Sequence, residues 1–170
     1  NYGQLAACSN GWFSFTSTGT QVNVALPSQN QPNAVLCPLN NNTHAGQVDD
    51  DLGIWMHSDV ENSRVIVQYF VRPAEGHTDY RFSYQAVLDC ETDDIQFNYN
   101  TANDWEDSQE GGVGIENQAG NLAVTFPESG IEDNTSFRVK LVSDYGNIHG
   151  IVRDADSMTP ISQARIYIAE

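Results

Sequence analysis

YRFSYQAVLDCETDDIQFNY, Tyr80–Tyr99, decides how the rest of the chain reads. In its first half Phe82, Tyr84, Ala86 and Leu88 alternate with Arg81, Ser83 and Gln85, the period-two pattern of a strand with one buried face. In its second half Ile95, Phe97 and Tyr99 alternate with Gln96 and Asn98, and the link Cys90–Asp94 is short and rich in turn-forming acids. The stretch is therefore a β-hairpin. Upstream, RVIVQYFVR at Arg64–Arg72 adds another β-branched and aromatic run, enough for an antiparallel sheet built without a helix.

The same short spacing continues on both sides of the hairpin. Gly3–Phe15 (GQLAACSNGWFSF) places a Ser-Asn-Gly bend before an aromatic strand, and Val22–Leu26, Ala34–Leu39 (AVLCPL) and Leu52–His57 (LGIWMH) are further strand candidates. Val113–Ile115, Leu122–Phe126 and Ser136–Val142 follow. Asn40–Asp51 (NNNTHAGQVDDD) and Thr101–Gly112 (TANDWEDSQEGG) are polar enough to be exposed loops. Short strands, polar turns and almost no helix signals predict an all-β antiparallel β-sandwich over residues 1–144. At Asp144–Gly146 the pattern resets, and Asn147–Asp154 and Gln163–Ile168 form two more alternating strands. Two strands enclose no core, so residues 147–170 read as the opening of a second β domain. Ile148, Val152, Ile166 and Ile168 would then cover themselves with the rest of that domain or with a neighbouring subunit.

Composition narrows the partners. The 170 residues carry 23 Asp plus Glu against 7 Lys plus Arg, a formal charge of -16. That field repels phosphate backbones and anionic lipid, so nucleic acid is disfavoured as a partner. Mean hydropathy is -0.44, and no apolar run approaches the ~20 residues that span a bilayer, so membrane insertion is not expected. No basic segment followed by an apolar one opens the chain at Asn1, which suggests a removed leader and a start within a larger protein.

No G-x-S-x-G, H-E-x-x-H or phosphate-cradling G-x-x-x-x-G-K-(S/T) pattern occurs. Gly111–Gly114 has glycines with no following Lys, Ser or Thr, and reads as a turn. His44, His57, His77 and His149 stand alone, as surface residues do. Asp49, Asp50 and Asp51 in one loop, and Asp104, Glu106, Asp107 and Glu110 in another, are the candidate metal ligands, with calcium the cation that such oxygen-rich loops hold. Neither run follows EF-hand spacing, and solvated acidic loops are the plainer reading. Cys8, Cys37 and Cys90 lack C-x-x-C spacing, so one disulfide with a third thiol left over is expected. Asn41 and Asn134 head glycosylation sequons. Trp12, Trp55, Trp105 and the tyrosines could form a carbohydrate platform, but Trp12 and Trp55 lie in strand-like runs and read as core, leaving Trp105 as the exposed one.

Several motifs fall in the order of a β-sandwich module of bacterial surface and secreted proteins. They are SNGWFSF at Ser9–Phe15, LPSQNQPNAVLCPL at Leu26–Leu39, the strand at Val65–Phe70, FSYQAVLDCETDDIQFNYN at Phe82–Asn100 and GGVGIENQAG at Gly111–Gly120. The chain resembles that module, and is similar to the extracellular NIDO domain, over roughly Tyr2 to Val142. The module often shows W-D-D after its A-P strand, where this chain has Leu39-Asn40-Asn41. It also usually carries one or two strands ahead of the SNG turn, so the chain is expected to begin inside the domain. The tail resembles the start of a carboxypeptidase regulatory-like, prealbumin-type domain through Gly150, Val152, Asp154, Thr159, Pro160, Ile161, Ala164, Ile166 and Ile168.

These resemblances imply an extracellular or cell-surface multidomain parent. Three functions are then open: a non-catalytic structural or adhesive module, an accessory domain of a secreted hydrolase whose catalytic part lies outside this chain, or a strand-sharing subunit of an extracellular filament. In each, the partners are other domains of the parent or neighbouring subunits.

Overall fold

The computed structural model describes residues 4–16, 19, 24–46, 51–74, 79–102, 112–126 and 131–140. These belong to the first of two units into which the chain divides, Asn1–Lys140. The second unit lies outside the described residues, and with it the expected strands bearing Ile148, Val152, Ile166 and Ile168.

Among the described residues eleven strands and no helix form two antiparallel sheets. The small sheet holds β1 (Ala6–Cys8), β2 (Trp12–Ser14), β3 (Val35–Cys37), β9 (Val113–Glu116) and β10 (Ala123–Phe126), in that order. The large sheet is built on β6 (Arg64–Pro73), β7 (Phe82–Asp89) and β8 (Ile95–Thr101), with β11 (Thr135–Val139) on the β8 side. On the other side β6 pairs with both β4 (Thr43–His44) and β5 (Gly53–Asp59). The expected hairpin is therefore present as β7 and β8. Its turn is stitched by Asp89, whose Oδ1 accepts from the backbone N–H groups of Glu91 at 3.1 Å and Thr92 at 3.0 Å, and Asp93 takes the left-handed φ of 58° that a short acidic side chain tolerates.

The two sheets enclose one core. Val67, Tyr69 and Val71 of β6, Phe82, Tyr84 and Ala86 of β7, and Phe97 and Tyr99 of β8 meet Phe13, Leu36 and Val113 of the small sheet. These are the residues whose alternation defined the strands, so period and burial agree.

The small sheet differs because both of its faces are covered at β2 and β3. Trp12, Val35 and Cys37 point away from the main core and are sealed by Val24 and Leu26, so every residue of β2 and β3 is buried. A strand buried on both faces reads as a continuous apolar run rather than an alternating one, which is why AVLCPL showed no period. The covering segment was expected to contain a strand at Val22–Leu26, yet Val24–Leu26 joins no sheet. It is held by side chains instead. Asn40, fully buried, accepts from Val24 N–H at 3.0 Å and donates to Val24 C=O at 2.5 Å, reproducing a ladder rung with an amide. Ser28 N–H donates to Glu116 at 2.6 Å, and the Ser14 and Thr16 hydroxyls donate to the Asn33 carbonyl at 2.8 and 2.9 Å.

Two loop expectations change accordingly. Asn40 and Thr43 of the polar run Asn40–Asp51 are buried, and Thr43–His44 pairs with β6. Val113 and Gly114 sit in β9, where the strand Val113–Ile115 was expected, and not in the turn read from Gly111–Gly114; a side chain at Gly114 would place its Cβ 2.4 Å from the Val124 carbonyl oxygen.

Candidate functional site

The buried polar groups of this chain are structural. Tyr69, Tyr84 and Tyr99 face each other across β6, β7 and β8. Tyr69 and Tyr84 stack with centroids 4.8 Å apart, and Tyr84 and Tyr99 lie 6.4 Å apart. Tyr69 donates to the Trp12 carbonyl at 3.1 Å and Tyr99 to the Pro38 carbonyl at 2.5 Å, so two hydroxyls of the large sheet tie down the small one. The Tyr84 hydroxyl has no partner among the described residues. Burial pushes all three phenols up, away from ionisation. They end at the Ser9-Asn10-Gly11 bend. There Gly11 adopts φ 79°, and any Cβ would lie 1.7 Å from the Leu39 carbonyl oxygen and 2.9 Å from the Tyr84 hydroxyl. Asn10 closes the bend by accepting from Thr43 N–H at 3.3 Å through its side chain and from Asn41 N–H at 3.0 Å through its carbonyl.

The thiols form no bridge: Cys8, Cys37 and Cys90 are free, which corrects the expected disulfide. The reason is register. Cys8 faces Trp12 on β2, and the β2–β3 register of Phe13 on Leu36 and Ser14 on Val35, carried one residue further, sets Trp12 level with Cys37. Two strand spacings separate the cysteines by roughly 10 Å, beyond the ~7 Å that a disulfide spans. Burial pushes both thiols up, with the neighbouring Glu116 charge adding to the effect at Cys37 and hydrogen bonds to Asn10 opposing it at Cys8. Such thiols are poor nucleophiles. Cys90 is exposed at the β7–β8 turn.

Glu116 is 3% exposed. One oxygen accepts from Ser28 N–H, and the other, Oε1, has no partner among the described residues. Loss of solvent raises its pKa, with the Ser28 bond opposing.

Asp51 is exposed, while Asp49, Asp50, Asp104, Glu106, Asp107 and Glu110 lie outside the described residues, as does Trp105. Among the described residues no group of three His, Cys, Asp or Glu side chains is placed to hold a metal. Asn41 is half-buried next to the SNG bend, and Asn134 is exposed with φ 60° in the turn before β11. His44 and His57 are at the surface, as expected.

The outer face of the large sheet carries what the sequence reading misplaced. Trp12 is fully buried, but Trp55 is 50% exposed. It stands opposite Gln68 of β6, which stands opposite Gln85 of β7, which stands opposite Asn98 of β8. The indole lies over Gly53, where an added Cβ would come within 2.7 Å of the Trp55 Cζ2. Gln68 donates from Nε2 to the Tyr69 and Tyr84 carbonyls, both at 2.9 Å, and Gln96 donates to Asn98 Oδ1 at 2.6 Å. The result is a flat surface of one indole and a row of oriented amides. In the sequence Trp55 is in phase with Gly53 and His57 and out of phase with Ile54 and Met56.

On the inner side, the turn end of the large sheet extends past the small one. It leaves a groove of about 580 Å³ whose apolar walls include Leu5, Phe15, Met56, Val65, Leu88 and Ile95. No helix among the described residues is long and apolar enough to cross a membrane.

The sequence matches the model of a family described as NIDO related over residues 1–136. No curated protein and no solved structure matches the chain.

Proposed function

The chain belongs to the NIDO-related family, and from that membership we propose that it is a non-catalytic binding module of a secreted or cell-surface multidomain protein. One observation carries the reading: among the described residues the buried reactive groups are built into the packing and Cys90 is the exposed thiol, at a turn, while the amide and indole surface is presented to solvent on a sheet. Tyr69 and Tyr99 are bonded to main-chain carbonyls, Cys8 and Cys37 are sealed under Val24 and Leu26, and Glu116 holds Ser28. A nucleophile needs an adjacent base and a place for substrate, and none of these groups is offered one. Side chains set on strands are held more precisely than side chains on loops.

Two measurements test this. Protease shaving of intact producing cells should release peptides of this chain; peptides appearing only after lysis would place the protein inside and sink the reading. The purified chain should turn over no peptide, ester or glycoside substrate, and turnover abolished by one substitution within it would overturn the non-catalytic assignment.

A further inference from the structure

We propose that the outer face of the large sheet, from Trp55 through Gln68 and Gln85 to Asn98, binds a neutral polysaccharide chain. The inference rests on the binding-module reading and names its ligand class. Four observations converge on it.

The first is the indole. A tryptophan that turns half its surface to water gives up burial that the hydrophobic effect would reward. Here Gly53 lets the ring lie down along its own strand with one face outward. A flat apolar face of this kind complements the C–H face of a pyranose ring, as it does other flat partners. The second is the amide row. Gln68, Gln85 and Asn98 occupy one line across β6, β7 and β8; Gln68, whose two N–H groups go to main-chain carbonyls, offers its oxygen, and Gln85 and Asn98 can offer a donor and an acceptor. Hydroxyl groups both donate and accept, so amides suit them better than carboxylates or ammonium groups do. Strand spacing makes the line from Trp55 to Asn98 roughly 14 Å long, which fits consecutive rings of a chain rather than one monosaccharide.

The third is preorganisation. Gln68 is fixed by two main-chain carbonyls, and Asn98 is fixed by Gln96, which lowers the entropy lost when a ligand is bound. Beside them a shallow hollow of about 130 Å³, bordered by Gln68, Ser83, Gln85, Asn98, Asn100 and Asn134, gives a substituent somewhere to sit. The fourth is charge. No ionised side chain stands in the row, and Arg138 of the neighbouring β11 is engaged by Asp94. With a formal charge of -16 on the chain, polyanions are repelled.

The test is affinity electrophoresis of the full chain through gels containing laminarin, soluble xylan, galactomannan or hydroxyethyl cellulose, with alginate as the polyanion. At least one neutral polysaccharide should retard the chain and alginate should not. Trp55→Ala should weaken that retardation about tenfold or more, as loss of a central aromatic anchor does, without lowering the melting temperature of the half-exposed site. Gln85→Ala, two strands away, should weaken it severalfold and stands in should Trp55→Ala misfold. No retardation by any neutral polysaccharide, retardation by alginate alone, or neutral binding unchanged in both variants overturns the proposal. A chain that fails here yet is released by protease shaving loses the polysaccharide and keeps its surface role.

Discussion

Three chemically identical changes in the tyrosine row should move stability in different directions. Tyr69→Phe, Tyr84→Phe and Tyr99→Phe each remove one oxygen and keep the ring, so the 4.8 Å stack and the 6.4 Å contact survive. What differs is the hydroxyl. Tyr99 serves the Pro38 carbonyl, a loop oxygen with no ladder of its own. Its loss strands a buried acceptor, at about 1–3 kcal/mol. Tyr69 serves the Trp12 carbonyl, which sits in a β-strand, so its loss should cost less, about 1 kcal/mol. Tyr84 serves nothing among the described residues, and its buried hydroxyl carries a desolvation penalty without return. Tyr84→Phe should therefore stabilise the fold by about 1 kcal/mol, or roughly 2–4 °C in melting temperature for a chain of this size. The Phe variant at Tyr99 should melt lower by a similar amount or more. Urea unfolding followed through the fluorescence of buried Trp12 would rank the three. If Tyr84→Phe proves as destabilising as Tyr99→Phe, its hydroxyl is bonded in solution and the argument from the orphaned oxygen fails.

Other changes probe the bend, the buried acid and the thiols. Gly11→Ala should destabilise by about 3 kcal/mol or more, from the left-handed backbone and the displaced Leu39 carbonyl together; a loss under about 1 kcal/mol in a denaturant titration would mean that the bend relaxes freely. Burial raises the Glu116 pKa above its ordinary 4.5, so the folded state holds this proton more tightly than the unfolded one. The associated stability is full below that value and is lost as pH rises through the folded pKa. Glu116→Gln should thus gain on the native chain between pH 4 and pH 7, and melting curves that run parallel across that range would refute the assignment. In native protein a maleimide should label Cys90 alone, with Cys8 and Cys37 reacting only after denaturation; rapid labelling of all three would show that Val24 and Leu26 do not seal the small sheet.

What the sequence made legible follows from how many faces each strand hides. β6, β7 and β8 bury one face, so apolar and polar residues alternate along them, and the period identified strand, hairpin and core together. β2 and β3 bury both, and their sequences lose the period that would assign each residue to a side. Val24–Leu26 carried the apolar pattern of a strand, but its hydrogen bonds go to the side chain of Asn40 rather than to a neighbouring backbone, a partner sixteen residues away that no local pattern announces. The cysteines failed for a related reason. Spacing along the chain said nothing of Trp12 standing between Cys8 and Cys37.

Trp55 was misplaced because tryptophan is usually buried. By register Ile54, Met56 and Ser58 share one face of β5 and Gly53, Trp55 and His57 the other, but Met56 and Ser58 are exposed as well, so at this edge strand neither residue type nor phase decides burial. The strands β2 and β3 are covered on both sides, whereas the large sheet keeps one face toward solvent across β5, β6, β7 and β8. An indole set on a glycine in that face, level with Gln68, Gln85 and Asn98, costs burial at a position where His57 shows a polar residue to be acceptable. The polysaccharide proposed above would stack on the exposed half of that indole.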